Sequence, residues 1–179
     1  MGRGQAKTLG KVVLLVLIAV ALQTLVVSHV TVLGVGADLF LIFTVMVAIS
    51  WGSLAGAVFG FVAGIAADIA YLEPLGMRAL VYVLTGYSLG VVAGRFGAAS
   101  LWNVFLYTVA SSFVAQVVFG VFAYVMGPRE GFFTVLGLQM LPGAVLDALL
   151  AVPVFLLLVK LRVISMPRPE PTASGSAMQ

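Results

Sequence analysis

Between residues 12 and 161, apolar runs follow one another, each near the length of a bilayer crossing and parted from the next by a few polar residues. No feature of the chain constrains its fold more. A span needs ~20 mostly apolar residues, and backbone groups in hydrocarbon must be satisfied inside their own segment, so each run reads as a helix. With 63% hydrophobic and 8% charged residues, too few polar side chains exist to cover a water-soluble globule, which carries roughly 25% charged residues.

The expected architecture is therefore all-α, a polytopic bundle of six transmembrane helices near residues 12–27, 37–50, 53–72, 77–96, 102–126 and 143–161. The runs end at recognisable breaks. Residues 28–36 form a loop with His29, Trp51-Gly52 a tight connection, and Glu73-Pro74-Leu75-Gly76 and 127–131 sharp turns in which Pro fixes φ and Gly tolerates positive φ. Pro142-Gly143 should break the long final run, which leaves 132–141 as an interfacial or re-entrant piece. Residues 1–165 form one transmembrane domain, and 166–179 a polar, disordered tail. Basic residues precede the first run, as in a signal peptide, but 26–28 is a poor cleavage site, so an uncleaved span is expected.

Orientation follows from the basic residues. With the N-terminus inside, Arg3, Lys7, Lys11, Arg95, Lys160, Arg162 and Arg168 lie on the inner side and Arg78 and Arg129 on the outer, seven against two. Both termini are then cytoplasmic. The net charge of +3 belongs to this bias and not to a nucleic-acid surface. The chain has no cysteine and one histidine, so thiolate chemistry, disulfides and multi-His metal sites are excluded. Phosphate-binding loops, nucleophile elbows and zinc-protease motifs are missing too, so no enzyme, cofactor or metal is expected. Neither a filter loop nor a charged ring suggests a channel.

Glycine spacing is the strongest pattern. Gly52, Gly56, Gly60 and Gly64 recur every four residues, as do Gly86, Gly90 and Gly94. A four-residue step keeps a helix face free of Cβ atoms, and such faces let helices pack closely in lipid. The short turn between them makes these helices antiparallel neighbours. Asp68 continues the first stripe and Arg78 the second, with Tyr82 between Arg78 and Gly86, so Asp68 and Arg78 are expected to meet. Asp147 follows Gly143 by four, and Asp38 opens the second span. Asp38, Asp68, Arg78 and Asp147 thus form a candidate polar cluster in the outer third of the bundle. It reads either as a polar site or proton relay, or as interfacial charges and carboxylates that cap or lock helices. Gln23, Gln116 and Gln139 suit interhelical hydrogen bonds, while Trp51, Trp102 and Tyr71 suit interfacial anchors.

The run Gly60-x-x-x-Gly64-x-x-x-Asp68, followed by Pro74-Leu75-Gly76, Ala79-Leu80, Tyr82, Leu84, Gly86-Tyr87 and Gly90, resembles the central signature of MreD, the bacterial rod shape-determining membrane protein family. Asp38-Leu39 is similar to the Pro-Asp-Leu that opens the second span there, with Ala37 in place of the proline. The specific part covers about a third of the chain, residues 38–94. The resemblance implies a non-enzymatic member of the cell-elongation machinery in the bacterial inner membrane. It would associate with MreC, a single-span protein with a periplasmic domain, and through it with RodA, its transpeptidase partner and, indirectly, the MreB filament. The family is also similar in fold to the S components of energy-coupling-factor vitamin transporters. That alternative expects a polar outer pocket and an Ala-x-x-x-Ala strip on the first span, where Ala19 and Ala21 lack the spacing. A third reading places a lipid-linked wall precursor in the outer cluster, although three aspartates suit a pyrophosphate poorly.

Overall fold

The computed structural model describes residue 10 and residues 14–23, 36–72, 74–96, 100–126 and 141–161. Several expected features lie outside these: Arg3, Lys7 and Lys11, the loop with His29, Glu73, the turn at 127–131 with Arg129, residues 132–140 with Gln139, and Arg162 with the tail at 166–179. The described residues form helices α1 (Leu14–Gln23), α2 (Leu39–Trp51), α3 (Ser53–Tyr71), α4 (Met77–Phe96), α5 (Leu101–Met126) and α6 (Leu141–Lys160), and no strand is found among them. By length and composition, α3, α4, α5 and α6 are able to cross a membrane. The fold is an all-α membrane bundle.

Helix α2 is the centre. All its residues from Leu39 to Ile49 are buried, and it touches α3, α4, α5 and α6. A helix that is apolar all round can face lipid as readily as protein, so packing and not composition gives α2 this place. Its 13 residues rise only about 20 Å, against a hydrocarbon core of ~30 Å. A short central helix keeps at least one end away from the headgroups, so its terminal N–H groups need partners supplied by the protein.

Glycine sets the two tight connections. Gly52 takes φ 88°, ψ −177°, a conformation essentially reserved for glycine, and it is the single residue between α2 and α3. Gly76, at φ 100°, turns the chain from α3 into α4.

The α3–α4 seam is closer than side-chain packing allows. A Cβ built on Gly56, Gly60, Gly64, Gly86 or Gly90 would lie under 3.0 Å from backbone atoms of the facing helix or its N-cap: the carbonyls of Gly86 and Tyr82 for the first two, the Ala79 backbone for Gly64, and the Gly56 carbonyl and Ser53 backbone for the last two. The Thr44 methyl of α2 would meet a Cβ at Gly60 or Gly86 at 3.1 Å, so α2 presses into the same groove. Gly94 has nothing within 4 Å of its Cβ position. Gly90 already faces Ser53, where α3 begins, so four residues further on no α3 remains to pack against. Gly52 likewise has open space there, and its glycine is required by φ instead.

Helix α6 starts at Leu141, two residues ahead of the expected 143, with Pro142 and Gly143 in its first turn. A proline costs nothing there, because the first-turn N–H groups have no intrahelical acceptor.

Candidate functional site: a polar cluster at one end of the bundle

The C-terminal ends of α1 and α3 and the N-terminal ends of α2, α4 and α6 meet at one end of the bundle, beside the middle of α5. The first N–H groups of α2, which have no intrahelical acceptor, are met by side chains from other helices. Asp147 Oδ1 on α6 accepts from the Asp38 N–H at 2.7 Å, and Gln23 Oε1 on α1 accepts from the Leu39 N–H at 3.0 Å. Asp38, the N-cap, accepts from the Leu41 N–H at 3.2 Å. A helix N-terminus carries roughly half a positive charge, so carboxylates placed there are stabilising.

The other Asp38 oxygen is the hub. Its Oδ2 accepts from Arg78 Nη1 at 3.2 Å and from the Tyr82 hydroxyl. The Arg78 guanidinium carbon lies 4.4 Å from the centre of the Tyr71 ring, a cation–π arrangement. The Tyr71 hydroxyl in turn accepts from Gln23 Nε2 at 2.6 Å, and the same amide donates to the Ala37 carbonyl at 3.0 Å. Tyr71 is thus tied into the cluster, where the sequence suggested an interfacial anchor.

Asp68 meets Arg78 through its backbone and not its guanidinium, in keeping with the reading of a carboxylate that caps a helix. It is fully buried and accepts from the backbone N–H groups of Gly76 at 2.7 Å and Arg78 at 3.0 Å. It therefore caps α4 from the neighbouring helix, while the Arg78 guanidinium reaches past it to Asp38. The physical reason is position: the turn delivers the start of α4 onto Asp68, and the longer arginine side chain extends to the start of α2. Asp68→Ala would leave two N–H groups without this acceptor and should cost about 1–2 kcal/mol, read as a lower unfolding temperature in detergent. Asp68→Asn keeps one acceptor oxygen and should recover part of the loss. An Asp68→Ala protein as stable as wild type would show that the cap contributes nothing.

Asp147 completes the cluster from α6. It is buried, and its Oδ2 accepts from the Ser112 hydroxyl on α5 and, at 3.5 Å, from Gln116 Nε2. Gln116 also donates to Ser112 Oγ at 3.0 Å. Ser112 is a member of the cluster that sequence reasoning missed. Its signal was present, since Ser112 and Gln116 lie four apart on one face of a mostly apolar run. All four candidate residues are thereby brought to one end, with Asp38 touching Arg78 and Asp147, and Asp68 adjoining through the backbone of Arg78. Each carboxylate accepts hydrogen bonds from the protein itself, and with Gln23 the cluster acts as a clamp that ties six helices together.

Against models of protein families, the chain matches the rod shape-determining protein MreD over residues 6–161. The chain belongs to the MreD family. No curated protein and no solved structure matches it at a significant level. The MreD match spans all six described helices and the whole polar cluster, and it makes this a rod shape-determining membrane protein. The residues that carried the MreD resemblance sit in contrasting places. Pro74 is exposed in the turn and Gly76 is held by Asp68. Tyr82 is buried against Asp38, and Tyr87 points outward from the middle of α4.

Proposed function

We propose that this protein is a non-enzymatic scaffold of the cell-elongation machinery in the bacterial inner membrane, holding the transmembrane helix of MreC and so supporting lateral-wall peptidoglycan synthesis and rod shape. RodA, its transpeptidase partner and the MreB filament are reached through that contact. The observation that carries the reading is the MreD match across the helical bundle. Two features of the fold support it. The outward faces are mostly apolar, with Leu54, Phe61, Ile69, Leu106, Leu149 and Leu156 exposed, so partners are met within the bilayer. The carboxylates at the polar end are engaged by backbone and side-chain donors of the chain itself, which suits a rigid support better than an S-component pocket. The positive-inside bias places both termini in the cytoplasm and the polar cluster toward the periplasm.

Affinity purification of the tagged protein from native membranes in mild detergent tests the proposal, with mass spectrometry of proteins and small molecules. MreC should be recovered, together with the wall synthases at lower yield. Recovery of an ATPase-bearing transporter core or a bound vitamin, without MreC, would overturn it in favour of the S-component reading.

A further inference from the structure

Every described exposed position more than one turn inside α3, α5 and α6 is apolar, Val58, Phe61, Leu106, Val114, Leu149 and Leu156 among them. Helix α4 is different. Tyr87, 53% exposed, and its exposed neighbour Ser88 lie at the midpoint of Met77–Phe96, and neither hydroxyl has a hydrogen-bond partner among the described residues. Thr44 and Thr108 show the usual remedy for a hydroxyl in a span, donating to the carbonyl four residues back at 2.8 Å, which Ser88 does not take. Tyrosine is favoured at membrane interfaces, yet Tyr87 is ~15 Å from either end of its helix and does not reach a headgroup. Two hydroxyls facing hydrocarbon there are costly unless another molecule satisfies them.

We infer that the outward face of α4 centred on Tyr87 and Ser88 docks the transmembrane helix of a partner protein, which presents a hydrogen-bonding side chain at mid-span. The surface has the shape for one helix. Leu80, Leu84, Tyr87, Val91 and Gly94 follow at steps of four and three, the spacing of a seam for a nearly parallel neighbour, and Gly94 leaves open space at its far end. A second copy of this chain fits the face less well. A two-fold axis along the membrane normal sets equal depths together, so Tyr87 would meet Tyr87 at the crossing, where close approach calls for small residues. The inference rests on the scaffold proposal and names the face that MreC meets.

The test places a photo-crosslinking benzoylphenylalanine at Leu84 on α4, and separately at Phe61 on α3 and Leu149 on α6, in the full chain in native membranes. MreC should be captured from Leu84 and not from the other two. Tyr87→Phe and Ser88→Ala should each lower co-purified MreC about threefold, with the unfolding temperature of the isolated protein unchanged. Capture of MreC only from Phe61 or Leu149 overturns the face while leaving the scaffold proposal standing, as does undiminished recovery with both hydroxyls removed. An adduct of twice the chain mass at Leu84 assigns the face to a second copy, and co-purification of MreC with no protein adduct at Leu84 leaves it to lipid; either overturns the inference. Failure of MreC to co-purify with the wild-type chain overturns both proposals.

Discussion

Gly60→Leu should prevent α3 and α4 from closing on one another and should destabilise the protein by more than about 3 kcal/mol, the upper end of ordinary overpacking. The size follows from what the new side chain meets. A Cβ at Gly60 would lie under 3.0 Å from the backbone of Tyr82 and 3.1 Å from the Thr44 methyl. Backbone has no rotamer to change, so the helices must part, and α2 loses the groove that holds it. The tyrosine that would be displaced also donates to Asp38, so the polar cluster would be disturbed with the seam. Gly94→Leu is the control: its Cβ position is open, and it should change the stability of the isolated protein by no more than about 0.5 kcal/mol. Thermal unfolding in detergent, followed by tryptophan fluorescence, measures both. Equal unfolding temperatures for the two variants would mean that the seam has room for a side chain at Gly60.

Asp147→Leu should cost about 3–5 kcal/mol, because it removes one carboxylate and strands the groups that depended on it. The Asp38 N–H, the Ser112 hydroxyl and the Gln116 amide all donate to Asp147, and Leu offers none of them an acceptor. The damage extends beyond α6, since the Asp38 N–H belongs to the start of the central helix. Asp147→Asn keeps an oxygen for that N–H and should retain most of the stability. The same unfolding measurement, made on all three proteins, reads the difference. If Asp147→Leu were as stable as wild type, the clamp between α2, α5 and α6 would not hold the bundle together.

Much of this was legible from local pattern. Apolar run lengths, with Gly76 at a positive φ in the turn, placed α3 and α4 within a residue or so of their observed ends. The four-residue glycine step fixed which face of each helix lacks side chains, because 3.6 residues per turn is a property of any helix. At the start of α6 the same reasoning set the boundary two residues late, because a proline is accommodated in a first turn and an apolar run does not reveal which turn is first.

By itself, then, the sequence determined that this is an all-α membrane protein with a glycine seam, and it carried the MreD signature. Only the tertiary structure decided how the charges are used. Arg78 pairs with Asp38, 40 positions away, and Asp147 reaches the backbone of Asp38 across 109, while the nearer Asp68 caps α4. Nor did the sequence show that α2 is the central helix, because all its faces are apolar and none points to a neighbour. The physical reason is common to both: helical periodicity sets the direction of each side chain from its own axis, whereas the order of helices around the bundle depends on packing among all of them at once.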